Sequence, residues 1–193
     1  ELASMTAKTA EDVKTSLGKI KGVIGNASSI LTGLLTFARK SESVRKPGNL
    51  KKTVDDTLLL VGKEMMRRGI EVQTDLEEVS EVSYDTGQIS QVIMNLMNNA
   101  RDALKDREKK LIILRLRDQP GRILLEIEDN GSGIPPEVMK RLFEPFVTSK
   151  PAGQGTGLGL SVCHGIIRNH NGEIKVSSAK GKGTTWHIFF PKE

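Results

Sequence analysis

Asp129-Asn130-Gly131-Ser132-Gly133-Ile134-Pro135 is the stretch on which the reading of the fold turns. It follows Arg122 to Glu128, where the apolar Ile123, Leu125 and Ile127 are set against Arg122, Glu126 and Glu128. Alternation with a period of two marks a half-buried strand. The strand therefore delivers a carboxylate, then a flexible glycine-rich turn, to one edge of the sheet. Asx-Gly pairs also make good surface turns with no ligand, so the stretch alone reads equally well as a turn or as a binding site. The surrounding chain has to separate the two.

At 193 residues the chain suits one domain with an appendage, or two small domains, and can bury a core without staples. A single cysteine, Cys163, excludes a disulfide framework and fits a reducing compartment. No apolar run approaches the ~20 residues that cross a bilayer, and the first residues lack a signal-peptide pattern. The net charge of +5 permits an anionic ligand or partner. It does not point to nucleic acid, because the basic residues are scattered and aromatics make up only 4%, with no stacking platform.

Upstream, residues 9–40 read as one long helix. Val13, Leu17, Ile20, Ile24, Ala27, Leu31, Leu34 and Ala38 recur at alternating spacings of four and three, a heptad seam that predicts a coiled coil or bundle and hence a dimer. Gly18, Gly22, Gly25 and Gly33 each cost that helix roughly 1 kcal/mol relative to Ala, which packing against a partner has to offset. Ser41 to Asn49, with its Pro-Gly pair, reads as a hinge. Leu50 to Arg68 then reads as a helix capped by Gly69, Ile70 to Asp75 as a strand, and Val79 to Tyr84 as a weaker one. Asp85 caps a helix running to about Arg107. Leu111–Asp118 and Arg122–Asp129 make a hairpin closed by Gln119-Pro120-Gly121. After the opening motif come a short helix near Glu137 to Phe143, a loop to about Gly155, a helix over Gly157 to Asn169, and strands Gly172–Ser178 and Thr184–Phe190. Strands grouped with helices in this way predict an α+β, two-layer sandwich.

Three further segments can carry chemistry. In the helix after Asp85, Gln88, Gln91, Asn95, Asn99 and Asp102 form a polar stripe beside an apolar one. Asn is a mediocre helix former, so Asn95, Asn98 and Asn99 need a reason. Residues four apart share a face, and an amide oxygen is a hard neutral ligand suited to Mg2+. Hydrogen bonding to nearby backbone is the plainer explanation of the same residues. Gly153-Gln154-Gly155-Thr156-Gly157-Leu158-Gly159-Leu160 is a glycine loop running into a helix, a junction that offers bare N–H groups and the positive helix end to phosphate. It lacks the Gly-Lys-Ser/Thr of a Walker loop and the spacing of the dinucleotide fingerprint, and a flexible lid without a ligand has the same composition. Lys150 just before it can reach a phosphate or simply be solvated. Phe143-Glu144-Pro145-Phe146 reads either as core anchoring or as a hinge for that lid. His164, His170 and His187 have no partner at catalytic or zinc-ligand spacing and read as structural.

Taken in chain order, Asn95-Leu96-Met97-Asn98-Asn99-Ala100, Asp129-Asn130-Gly131-Ser132-Gly133, Phe143-Glu144-Pro145-Phe146 and Gly155-Thr156-Gly157-Leu158-Gly159-Leu160 resemble the catalytic, ATP-binding domain of bacterial sensor histidine kinases. These belong to the gyrase, chaperone, histidine kinase and mismatch-repair ATPase superfamily. The resemblance spans roughly residues 47 to 193, and the short lid resembles that of the nitrogen-regulation type. It implies a mixed sheet covered by helices on one face. It also implies ATP as substrate, Mg2+ as its metal ion, and transfer of the γ-phosphate to a histidine in two-component signalling. By the resemblance Asp129 accepts a hydrogen bond from the adenine amino group, and Gly131 and Gly133 allow close approach of the backbone. Asn99 ligates Mg2+ with Asn95 in support. Gly155, Gly157 and Gly159 bring lid N–H groups to the phosphates, and Lys150 adds charge. Asp102, Ile134, Phe146 and Thr148 fall among the nucleotide-contacting positions, as do Thr156, Leu158, Leu160 and Thr184. Relatives that hydrolyse ATP carry a glutamate base where this chain has Asn95, which cannot take a proton from water.

Residues 1–46 resemble the second helix of a dimerisation hairpin. The first helix, with its phosphoacceptor histidine, has no counterpart here and would lie upstream of residue 1. The expected partners are a second copy through that helix and a response-regulator receiver domain, with no nucleic acid and no membrane segment in this chain. The expected location of this portion is cytoplasmic, whether or not the full-length protein is membrane-associated.

Overall fold

The alternation in Arg122–Asp129 places Ile123, Leu125, Ile127 and Asp129 on one face of a strand, and all four are buried. The structure, a computed structural model, describes residues 44–148, 150 and 155–192, together with Val13, Thr15 and Leu17, which are helical. The rest of the expected 9–40 helix and the start of the expected hinge lie outside the described residues.

In chain order the elements are β1 (Lys46–Gly48), α1 (Leu50–Arg67), β2 (Glu71–Leu76), β3 (Val82–Tyr84), α2 (Thr86–Ala103), β4 (Leu111–Gln119), β5 (Arg122–Asp129), α3 (Pro136–Met139), α4 (Gly159–Asn169), β6 (Glu173–Ala179) and β7 (Gly183–Pro191). The main sheet has the order β2-β4-β5-β7-β6. Only β2 and β4 run parallel, so the sheet is mixed, as expected. Its inner face carries Ile112, Leu114 and Leu116 of β4 and Trp186, Ile188 and Phe190 of β7, all buried against the helices. The outer face mixes charged pairs with a few apolar side chains such as Leu124 and Phe189: Arg115 pairs with Glu128 at 2.6 Å and His187 with Glu126 at 3.0 Å. This is a two-layer sandwich, with one sheet face buried under the helices and the other largely open.

The helices form where caps and apolar stripes coincide. Asn49 accepts from Lys52 N–H at 3.3 Å to start α1, and Asp85 accepts from Gln88 N–H at 3.1 Å to start α2. Along α2, Ile89, Ile93, Leu96 and Ala100 are buried as their spacing predicts, joined by Val92 and Met97. His170 is a structural histidine: its Nδ1 donates to Ile166 O at 2.8 Å and its Nε2 accepts from Asp85 N–H at 3.0 Å, tying the end of α4 to the start of α2.

Several boundaries differ from the expectation: the strand expected over Val79–Tyr84 covers only Val82–Tyr84, and the helix expected from Gly157 begins at Gly159. Lys46–Gly48 is a strand, paired antiparallel with Val82–Tyr84, rather than plain hinge. Pro47 is tolerated because this ladder has only two strands, and Tyr84 Oη hydrogen-bonds Thr53 Oγ1 at 2.7 Å beneath it. Helix α2 ends at Ala103, with Leu104 as its cap, and not near Arg107. The expected 137–143 helix is a single turn, after which Arg141 N–H and Glu144 N–H bond back three residues, to Val138 O and Arg141 O. Among the described residues, no helix is long and apolar enough to cross a membrane.

Leu114 is fully buried in the central sheet, whereas Leu59 on the outer side of α1 is 76% exposed. Leu114→Ala should lower the unfolding free energy by about 2–5 kcal/mol and Leu59→Ala by less than about 0.5 kcal/mol, as read from chemical denaturation midpoints. Equal effects would contradict the assignment of the core.

Candidate nucleotide site

Asp129 ends β5 and is 4% exposed. Its register partner on β7 is Thr184, whose N–H donates to the carboxylate. A second donor is Gly131 N–H, at 2.8 Å from Oδ1. Burial still pushes the Asp129 carboxyl up to about 6; these two donors and the Arg107 guanidinium pull it down, while Glu128 adds to the rise.

Glycine is required around this carboxylate for steric reasons. A Cβ on Gly131 would lie 2.6 Å from Asp129 Oδ1 and 2.7 Å from Ala103 Cβ. Gly133 has φ +70° and a Cβ there would meet Ala179 O at 2.1 Å. The neighbouring turn supplies its own glycine, Gly183, with φ +95° and space for no side chain against Asp129 O. Ile134, half-buried, is pinned by its N–H to Ser178 Oγ at 2.9 Å, and Ser178 Oγ in turn lies 3.0 Å from Thr184 Oγ1. Asn130 is occupied with the sheet edge: Oδ1 accepts from Leu111 N–H at 2.9 Å and Nδ2 donates to Lys109 O at 3.0 Å.

The polar stripe of α2 borders α4 and the lid. Asn95 Nδ2 reaches Gly159 O at 3.5 Å and Cys163 Sγ at 3.6 Å. Cys163 is fully buried, and burial pushes its thiol up to about 12, away from the thiolate form. Arg101 engages Asn98 and Asp102. Half-buried Asn99 makes no side-chain hydrogen bond among the described residues. Lys150 Nζ lies 2.5 Å from Asp102 Oδ2, so the lid lysine is paired with the helix. Burial works against ionisation of Asp102, but the Lys150 and Arg101 bonds outweigh it and hold the carboxyl below its ordinary value.

The lid is organised around its glycines. Phe146 N–H bonds Gly157 O at 3.0 Å, and both residues have positive φ, +67° and +66°. A Cβ on Gly157 would come within 2.3 Å of the Phe146 carbonyl carbon. Gly155 sits against Thr148 Oγ1, which accepts from Lys150 N–H at 3.1 Å. Thr156 Oγ1 accepts from Leu158 N–H at 3.2 Å beside the start of α4, with Leu158 buried and Leu160 packed on the core edge. The two phenylalanines divide: Phe143 stacks on His164 with centroids 4.8 Å apart, whereas Phe146 is 67% exposed. Ser149, Pro151, Ala152, Gly153 and Gln154 lie outside the described residues.

The fold thus brings Asp129, Gly131 and Thr184 into contact, as it does Asn95 with Gly159, Asp102 with Lys150, and Phe146 with Gly157. One residue absent from the expectation is Arg107. It donates to Gly131 O at 2.7 Å and also to Gly181 O, 74 positions along the chain. No local pattern signals such a contact.

The carboxyl of Asp129 gives a pH test. Because the folded chain holds that proton to a higher pH than the unfolded chain does, its stabilising contribution is fully present below about 4 and is lost as pH rises through about 6. Asp129→Asn removes this dependence while keeping the Oδ1 acceptor. Relative to the parent, the variant should gain on the order of 3 kcal/mol between pH 4 and pH 7 in guanidinium denaturation. A difference that stays flat with pH counts against a carboxyl raised by burial.

Comparison with known proteins bears on the family and the fold. The family model described as "Histidine kinase-, DNA gyrase B-, and HSP90-like ATPase" matches residues 84–193. Sensor kinase CckA of Brucella abortus (strain 2308) is 36% identical over 189 residues, covering 90% of this chain and 20% of that protein. The chain spans no more than about a third of the length of such curated relatives. The solved catalytic domain of histidine kinase ThkA superposes with a TM-score of 0.67 at 28% identity, covering 77% of this chain and 97% of that one. ThkA in complex with response regulator protein TrrA superposes over 96% of this chain and 53% of that chain, with a TM-score of 0.80 at 23% identity, a likeness of fold. The chain belongs to the histidine kinase-, DNA gyrase B- and HSP90-like ATPase family, and its relatives are sensor histidine kinases.

Proposed function

We propose that residues 47–193 bind Mg-ATP and transfer its γ-phosphate to a histidine of a dimerisation hairpin, with residues 1–46 as part of that hairpin. The observation that carries this reading is the buried Asp129 carboxylate, flanked by glycine turns that no side chain could replace. A buried acceptor of this kind suits an exocyclic amino group. Guanine would present a carbonyl oxygen to a carboxylate, and sites built to hydrogen-bond one group reject the other strongly.

The helix and lid supply the phosphate end. Asn99, half-buried and unengaged among the described residues, offers a neutral oxygen one turn after Asn95, whose own side chain reaches Gly159 of α4. One neutral amide oxygen fits Mg2+, which takes most of its shell from water and substrate phosphates; when bound, it would neutralise phosphate charge. Asn95 supports Asn99 from one turn earlier. Gly155, Gly157 and Gly159 present backbone N–H groups, and Lys150 adds a positive charge once it exchanges Asp102 for phosphate. Thr148, Thr156, Leu158 and Leu160 shape the lid, while Phe146, Ile134 and Thr184 border the nucleotide. Asn95 cannot act as a base toward water, so transfer to an acceptor outpaces hydrolysis, and positioning carries most of the catalysis.

A second copy would pair through the helical segment that includes Val13 and Leu17, both more than half exposed. The phosphorylated histidine would then serve a receiver domain, the class of partner named in the ThkA complex.

Calorimetric titration should show Mg-dependent ATP binding with GTP much weaker. Asp129→Asn should reduce ATP affinity about 10- to 100-fold at pH 7.5, the worth of a hydrogen bond to a charged acceptor. Unchanged affinity in a folded variant removes Asp129 from this role. In a second assay, Asn99→Ala should abolish Mg-dependent transfer to an added acceptor hairpin, with transfer at parental rates excluding Asn99 as the metal ligand.

A further inference from the structure

We infer that Arg107 is a positioning residue for base selection, clamping together the two glycine turns that hold Asp129; this rests on the nucleotide reading above. The first of those turns, Gly131–Gly133, gives Asp129 its Gly131 N–H donor. The second, Gly181–Gly183, leads into Thr184, whose N–H is the other donor. Both turns use positive-φ glycines, at Gly133, Gly181 and Gly183, and so gain no rigidity from side chains of their own. One direct bond joins them, Gly181 N–H to Ser132 O at 2.7 Å, and one anchors the first to the helix end, Ser132 N–H to Ala103 O at 3.0 Å.

Arg107 is the side chain that spans both. Its Nη2 donates to Gly131 O at 2.7 Å and to Gly181 O, one carbonyl from each turn. The end of α2 at Ala103 makes this possible. Leu104 caps the helix, Arg107 N–H bonds Leu104 O at 3.1 Å, and the tight bend aims the guanidinium back at the turns. The planar donor group suits two fixed carbonyls better than a rotating ammonium does. Its effect on the site is indirect: Arg107 sets the two turns, the turns set the Gly131 and Thr184 N–H groups, and these fix the carboxylate that selects an amino group over a carbonyl. Losing the clamp therefore loosens discrimination at the base while leaving the phosphate end, built on α2 and the lid, as it is.

The test compares ATP with inosine triphosphate, which has oxygen in place of the adenine amino group, by Mg-dependent titration of the full chain. Arg107→Met keeps the length of the stem and removes the donors. It should lower the ATP-to-ITP affinity ratio at least about tenfold, through weaker ATP binding with ITP little changed. Arg107→Lys should fall between the parent and Arg107→Met, and carries the test if the Met variant does not fold. Lys109→Met, in the same loop with its side chain outside this network, should keep the parental ratio. A parental ratio in a folded Arg107 variant, or equal loss of ATP and ITP affinity, overturns the inference. Failure of the parent protein to prefer ATP over ITP overturns the nucleotide reading instead.

Discussion

A carboxylate that is 4% exposed at the end of a central strand is the constraint to which the rest of the molecule is fitted. Burying a charge is costly unless it is hydrogen-bonded, and Asp129 is bonded by two backbone N–H groups, Gly131 in the turn after β5 and Thr184 at the start of β7, just past a second turn. Those turns must come within contact distance of the carboxylate and its backbone, which only glycine permits at Gly131 and Gly183. The β5–β7 register sets Thr184 opposite Asp129 and Trp186 opposite Ile127. A slip of one residue would turn Asp129 outward along with the apolar face of β5. The sheet core and the polar site are thus specified by one register.

Helix α2 serves two masters along its length. Its apolar stripe packs on the sheet, and its polar stripe borders α4 and the lid, with Asn95 reaching Gly159 and Asp102 holding Lys150. Among the described residues the lid is tied by the Phe146–Gly157 bond, the Thr148 hydroxyl and an ion pair whose side chains are each about a third exposed. Such pairs are worth at most about 1 kcal/mol. Phe143, stacked on His164 and edge-on to Trp186 at 6.4 Å, fixes the segment before the lid, while Phe146 stays exposed.

Much of the fold was legible because its signals are local. The alternation of β5, the Asp85 cap and apolar stripe of α2, and the Pro120-Gly121 turn between Gln119 and Arg122 each lie within a few residues of one another. Lys46–Gly48 was illegible as a strand because three residues have no readable period and their partners, Val82–Tyr84, lie far along the chain. The end of α2 was overrun because Leu104, which extends the apolar stripe, is buried as the cap rather than as a helical residue. Arg107 carries no sequence signal, since its partners lie 24 and 74 positions away.

By itself the sequence determined the two-layer fold class and the family, and singled out Gly131 and Thr184 among the residues around Asp129. Periodicity, caps and motif order act over short stretches of chain and survive without knowledge of what packs against what. Only the tertiary structure decided how those residues meet: that Lys150 pairs with Asp102, that Asn130 closes the sheet edge, and that Arg107 joins two turns distant in sequence. Such contacts depend on where the sheet and helices bring remote backbone together, and no local pattern encodes that placement.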